Sequence, residues 1–420
     1  MIEPTSHLRS LRWSEKIVRQ IIGGLTSGYR IRLDFARGPQ VFVGPEGGPL
    51  VVAIRPPTFW RALWIFLRPG LRAGESFVHG DWAITQGDLA TFLKITQAPT
   101  AGLYACMYRW SSDRRGLIFH LRQRLFPKWG RRNLSEHYNA GNELYRRMLD
   151  SSEQYSCAFF SLSDGEDLEA AQRAKLVVSI QRLHLDRSGL KVLDIGCGWG
   201  ALAAEIAKGS DDHEVLGITL SKEQLNAALA RRESLPPQVR ARLAYRLEDY
   251  DSLLARSDDL FDRIVSIGMF EHVGLGRHVH FFKSIERSLR PGGKALIHSI
   301  VRPSPGACNE WIRRYIFPGS FLPSVAKCIA AAERANLIVD AVHIHPPADY
   351  RKTIQAWRQR IEEAWPDLER VDPEKYNARF KRMWTFYLAN GPAIFSEDLM
   401  NFRVAQVELR KMRRSISLVL

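Results

Sequence analysis

The period of the apolar positions changes along this chain, and the changes divide it. Between Tyr29 and Phe35 apolar and polar residues alternate, and Pro39–Val43 and Leu50–Ile54 are short β-prone runs broken by glycine and proline. Pro56-Pro57 then opens a predicted helix carrying Phe59, Trp60, Leu63, Trp64 and Leu67. Core packing is the default for so aromatic a helix; the alternative is an amphipathic surface that docks on lipid. From His137 onward helical and strand periods alternate. Val192–Ile195 reads as a buried strand, and a helix begins near Ala201 with Leu202 and Ile206 on one face. Val215–Thr219, Phe261–Ile267 and Ala295–Ile300 read as further strands. A helix is expected over Phe281–Leu289, with a break at Pro291-Gly292-Gly293. Residues 303–420 read as helical stretches mixed with loops. This alternation predicts an α/β fold with a parallel, doubly wound sheet, preceded by a small α+β domain. The expected division is 1–98, a linker at 99–135, and a main domain at 136–420.

At 420 residues and 45% hydrophobic content, the chain is globular and too long for one ordinary core. The net charge of +15 implies an anionic partner, either nucleic acid or an anionic membrane surface. Between Arg109 and Arg132 stand eight basic residues and one acidic one, interleaved with Trp110, Phe119, Phe126 and Trp129. Basic plus aromatic suits the lipid headgroup level or single-stranded nucleic acid; a solvated basic helix is the bland reading. The five cysteines have no C-x-x-C spacing, so no metal site or disulfide framework is expected, and a reducing compartment fits. No signal-like run opens the chain. The longest apolar run, Phe59–Leu67, contains Arg61 and is far shorter than the ~20 residues of a membrane span. A soluble or peripheral protein is expected.

The most informative stretch is Val192-Leu193-Asp194-Ile195-Gly196-Cys197-Gly198-Trp199-Gly200. Glycines between a strand and a helix permit a tight turn and close backbone approach to a ligand. An acid inside the strand, Asp194, narrows the ligand to the methyl donor S-adenosylmethionine. A plain strand–helix turn is the competing reading.

Further motifs occur in order: His137-Tyr138-Asn139-Ala140-Gly141-Asn142, Gln154-Tyr155-Ser156-Cys157-Ala158, Gly268-Met269-Phe270-Glu271-His272-Val273-Gly274, Tyr315-Ile316-Phe317-Pro318-Gly319, Ala348-Asp349-Tyr350 and Phe380-Lys381-Arg382-Met383. With the glycine turn, and more weakly Gly74-Glu75-Ser76-Phe77, they resemble the cyclopropane-fatty-acyl-phospholipid synthases and their mycolic acid cyclopropane synthase relatives. The resemblance implies a class I methyltransferase (Rossmann-like) fold and methyl transfer to a cis double bond of a phospholipid acyl chain. It implies that Tyr138, Tyr155 and Ser156 close over the donor. Asp194, Gly196, Cys197, Gly198 and Gly200 would form its turn. Thr219, Leu220 and Gln224 would lie near the ribose, and Leu247 and Glu248 near the adenine. Ser221 and Gln224 also fit a capping box, S-x-x-Q, and Leu247 also reads as an ordinary apolar residue.

Methylating an alkene leaves a carbocation, and ring closure needs a base to remove a proton from the new methyl. The resemblance implies a bicarbonate ion, held by Cys157, Glu271, His298, Ile300 and Tyr350. Glu271 would orient the ion and receive the proton, His298 and Tyr350 would supply hydrogen bonds, and Cys157 and Ile300 mainly backbone groups. Tyr350, Phe270 and Phe317 offer π faces to the cation, though core packing is the default for both phenylalanines. A cysteine common in the family after Tyr387-Leu388 is missing from Ala389-Asn390-Gly391-Pro392, so no thiol nucleophile is expected there. Loss of the proton elsewhere would give a methylene- or methyl-branched chain instead. Gly268-Met269-Phe270-Glu271 stands where amino-group methyltransferases of nucleic acids place an N/D-P-P-Y-like loop, so nucleic acid is not the expected partner. The resemblance also implies a homodimer, and the charge a cytoplasmic protein on the inner face of the plasma membrane.

Overall fold

The computed structural model describes residues 11–26, 28–36, 40–97, 141–256, 260–274, 276–303, 306–395 and 402–413. The basic aromatic linker and Tyr138 lie outside the described residues. The chain forms two compact units that cut across the expected division, because segments 309–316 and 362–395 belong with the N-terminal residues.

The first unit holds a four-stranded sheet. Strands β1 (Arg30–Asp34), β2 (Gln40–Val43), β3 (Leu50–Arg55) and β4 (Ala83–Gln86) lie in the order β2-β1-β3-β4, with only β1 and β3 parallel. The alternation in β1 buries Ile31 and Leu33. Gly74 in helix Pro69–His79 allows close packing, since a Cβ there would lie 2.5 Å from Trp311 and 2.7 Å from Phe386. The aromatic helix Phe59–Phe66 departs from core packing. It buries only Ala62, while Trp60 is 73% and the following Leu67 61% exposed. Trp13, 66% exposed, packs edge-on against Phe59.

The second unit is built on a seven-stranded sheet. Its strands are β5 (Lys191–Ile195), β6 (Glu214–Thr219), β7 (Leu243–Leu247), β8 (Phe261–Ile267), β9 (Leu289–Val301), β10 (Leu337–His345) and β11 (Arg403–Lys411). The order is β10-β11-β9-β8-β5-β6-β7. Strands β7, β6, β5, β8 and β9 run parallel, while β11 is antiparallel to both neighbours. Both faces are covered, and strand alternation sorts the core. Leu193, Ile195 and Ile264 pack with Phe281, Phe282 and Ile285, whereas Val192 and Val265 pack with Leu202, Ala203 and Ile206. Each such buried side chain contributes roughly 1.5–3 kcal/mol.

Two expectations are corrected. Pro291-Gly292-Gly293 does not end an element. Strand β9 runs through it as a bulge, since β8 pairs Phe261 with Leu289 and then Arg263 with Lys294. The region after residue 303 also supplies β10 and β11, one of them inside the sheet.

Candidate active site

At the C-terminal ends of β5, β6 and β8 lies a cavity of about 220 Å³. This is where an open α/β sheet binds ligands. The turn after β5 shapes it. Gly196 has φ +77°, and a Cβ there would come within 3.0 Å of Met269. Gly196, Cys197 and Gly198 line the cavity, as do Tyr155, Ser156, Thr219, Leu220 and Glu248. Gly200 does not. A Cβ there would meet the Tyr245 ring at 2.6 Å, and the Tyr245 hydroxyl donates to the Gly200 carbonyl at 2.6 Å. Gly200 serves packing behind the turn. Leu247 also stands outside the lining and is exposed.

Asp194 is buried at the cavity, and its Oδ2 has no hydrogen-bond partner among the described residues. Burial pushes its carboxyl up to about 7. An unpaired buried acceptor facing a cavity is a place for a ligand's N–H or O–H group. Ser221 caps its helix by accepting from Gln224 N at 3.3 Å, but the reciprocal half of the capping box is not made. The Gln224 side chain instead accepts from the Thr219 hydroxyl at 2.7 Å, which puts both polar groups on the cavity wall.

Lys175 escaped the reading of the sequence. Helix Leu168–Arg182 buries Leu168, Ala171, Gln172, Lys175, Leu176 and Ser179, a continuous stripe with a lysine in it. That lysine on an apolar face was the available signal. Its Nζ donates to Ser156 Oγ at 2.6 Å and lines the cavity, and burial lowers it to about 8. One turn earlier Gln172 donates to the carbonyls of Gln154 and Ser156 at 3.2 and 3.1 Å, fixing the Gln154–Ala158 segment.

The five residues expected to hold the base lie outside the cavity lining, although their chain neighbours Ser156 and His272 are in it. Glu271 Oε1 accepts from the Ile300 backbone N–H at 2.6 Å. Its Oε2 is buried without a partner among the described residues, and burial raises the carboxyl to about 7. His298 is buried, stacks on Phe159, and is held well below its ordinary value by burial first and then by Lys175, His345 and Arg182. It is therefore neutral. Arg182 donates to Gln406 Oε1, which turns Gln406 Nε2 toward His298 Nδ1 at 3.5 Å. Gln406 Nε2 also donates to Ser179 Oγ at 2.9 Å. Cys157 is buried with its thiol pushed up by desolvation, and it feels both Lys175 and Asp349, the neighbour of Tyr350. Tyr350 is buried, with its ring edge-on to Trp357. Phe270 is fully buried among Phe281, Phe282 and His278, so it is a core residue. Phe317 sits beside Tyr155 and His272.

The strand order, the single reversed strand and a glycine turn facing a cavity at the strand ends define a class I S-adenosylmethionine-dependent methyltransferase. A family model described as mycolic acid cyclopropane synthetase matches residues 127–406, and the chain belongs to that family. It is 36% identical over 362 residues to the cyclopropane-fatty-acyl-phospholipid synthase of Escherichia coli strain K12, covering 85% of this chain and 87% of that protein. It is 29% identical over 414 residues to a tuberculostearic acid methyltransferase of Mycobacterium tuberculosis, covering 92% and 90%. Among solved structures, the cyclopropane synthase MmaA2 from Mycobacterium tuberculosis matches with TM-score 0.58 at 26% identity, over 67% of this chain and 98% of that one. The mycolic acid cyclopropane synthase CmaA1, complexed with SAH and CTAB, matches with TM-score 0.58 at 27% identity over the same shares.

Proposed function

We propose that this enzyme converts the cis double bond of a monounsaturated phospholipid acyl chain into a cyclopropane. The observation that carries the reading is Glu271. It is a buried carboxyl anchored on Ile300 N–H through one oxygen, with the other unpaired among the described residues, at the end of the strand that carries His298. The likeness to the Escherichia coli synthase over most of both chains supports it.

Bound S-adenosylmethionine supplies an electrophilic methyl. In this reading Tyr155, Ser156, the Gly196–Gly198 turn, Thr219, Gln224 and Glu248 hold the donor, with Asp194 as an acceptor. The alkene π electrons form a C–C bond as the methyl carbon's bond to sulfur breaks. The neighbouring carbon is left cationic, opposite the faces of Tyr350 and Phe317. A C–H bond of the delivered methyl then breaks, its electron pair closes the ring, and the proton leaves to a base. Bicarbonate, when bound, supplies that base. The residues present fit it. Glu271, raised to about 7, would in its ionised form accept a hydrogen bond at Oε2 from the ion's own hydroxyl and so hold it without repelling it. Neutral His298 and the Tyr350 hydroxyl would supply hydrogen bonds beside the Cys157 backbone, while the Ile300 N–H acts indirectly by holding Glu271. The proton is passed to Glu271.

The same reading makes the protein a homodimer on the inner face of the plasma membrane, drawn to anionic lipid by the basic linker. No helix among the described residues is long and apolar enough to cross a membrane. Trp13, Trp60 and Leu67 present an exposed apolar surface for docking. A second reading, a methyl-branched product, is favoured by the relative named tuberculostearic acid methyltransferase. Expression in a host lacking the activity, followed by mass spectrometry of its fatty acids, tests both. A new methylene-bridged chain supports the proposal, a branched chain supports the second reading, and an unchanged profile overturns both.

A further inference from the structure

Three motifs play no part in the methyl-transfer chemistry: Gly74–Phe77, the start of Tyr315–Gly319, and Phe380–Met383. They meet at one cavity of about 250 Å³ inside the first unit. Its chemistry is bipolar. Lys375 and Arg379 line it, just before and within the first turn of helix Ala378–Ile394. Asn377 Oδ1 caps that helix, accepting from Arg379 N and Phe380 N at 3.0 and 3.1 Å, so the positive end of the helix adds to the two cations. The lining also carries a carboxylate and aromatic rings. Glu75 Oε1 accepts from the Tyr315 hydroxyl at 2.7 Å, which aims the carboxylate, and the rings of Trp311 and Tyr315 stand 5.5 Å apart. Both charges are felt at that hydroxyl, which is raised by burial and Glu75 and pulled down by Arg314 and Arg379.

A simple anion would be repelled by Glu75, and a simple cation by Lys375 and Arg379. A ligand carrying both charges a few bonds apart satisfies the whole cavity. We propose that it receives the zwitterionic headgroup of a phospholipid, the phosphate between Lys375 and Arg379 and the ammonium against Glu75 and the faces of Trp311 and Tyr315. Phe380 offers an apolar wall to the glycerol carbons. The inference rests on the phospholipid reading above and adds to it the class of headgroup.

The test uses the full chain and vesicles of phosphatidylethanolamine or phosphatidylglycerol with identical monounsaturated acyl chains. Product is followed by mass spectrometry. Wild type is expected to favour the ethanolamine lipid in kcat/KM. Glu75→Gln keeps an acceptor for Tyr315 but loses the charge. It should lower kcat/KM on the ethanolamine lipid about tenfold, through KM, and leave the glycerol lipid within about twofold. The Lys375→Ala/Arg379→Ala double variant should raise KM for both lipids and carries the test if Glu75→Gln melts early. Soluble glycerophosphoethanolamine that competes in wild type but not in Glu75→Gln supports recognition of the headgroup by itself. If it fails to compete while the lipid preference still depends on Glu75, recognition of a headgroup displayed in a bilayer is supported. An unchanged lipid ratio in a folded Glu75→Gln, or an unchanged KM in the double variant, overturns the site. Absence of product from either lipid, with donor still bound, overturns the acyl-chain reading instead.

Discussion

The cavity proposed for the donor is organised around a backbone turn, Gly196–Gly198, at the ends of β5, β6 and β8. Glu271 and His298, the residues proposed to hold the base, are buried side chains delivered by separate stretches of sequence, and burial raises the carboxyl to about 7 and holds the imidazole well below its ordinary value. The first kind of site depends on backbone conformation, which a local motif specifies. The second depends on desolvation and on partners such as Gln406, which only the assembled sheet provides. The two should therefore fail separately when mutated. Damage to the turn should cost binding, and damage to the cluster should cost turnover.

Glu271→Gln should give the largest effect. In the proposed mechanism it removes the acceptor that receives the proton, so kcat should fall by ~10²–10⁴. Calorimetric affinity for S-adenosylmethionine should be unchanged. Wild-type activity should also drop when bicarbonate is stripped from the buffer and recover when it is returned. A joint loss of affinity and turnover would erase the distinction between the two sites. Gly196→Val is the converse. A branched side chain at φ +77°, against Met269, should weaken donor binding by at least about tenfold in a protein that still melts cooperatively. Wild-type affinity in that folded variant would dismiss the turn as the donor site.

A smaller effect reads the burial of Glu271 directly. Its carboxyl is raised from 4.5 to about 7, so its contribution to stability is complete below pH 4.5 and is lost as pH rises through about 7. Glutamine does not ionise. The melting temperature of Glu271→Gln relative to wild type should therefore climb between pH 4.5 and 7 and level off above. A difference independent of pH would mean that the group ionises freely. Leu247→Ala should do least. An exposed residue outside the cavity lining leaves donor affinity within about twofold and stability within about 0.5 kcal/mol.

The contrast also explains what could be read from sequence. Strand, glycine turn and helix are contiguous, so β5, β6 and β8 were legible from period and punctuation. Strands β10 and β11 were not. In β10 few positions are fully buried, with Asp340 and His343 interrupting the apolar run. The insertion of β11 between β10 and β9 is a non-local pairing that no window of sequence contains. Pro291-Gly292-Gly293 carries the chemistry of a turn, and only its register against β8 makes it a bulge. The aromatic helix Phe59–Phe66 has the composition of a core element, and its exposure follows from the absence of a covering partner among the described residues.

The place of β11 has a consequence in time. It follows every other strand of the sheet in the chain, beginning about 100 residues after the end of β9, yet it separates β9 from β10. At ~5–20 residues per second, a ribosome takes roughly 5–20 s to make the intervening stretch. Over that interval the strands around the glycine turn have been synthesised, while His298 still lacks its neighbour Gln406. The nascent enzyme would acquire the means to hold its donor before it could complete the reaction. Its maturation would end with a strand threaded between two that were already waiting.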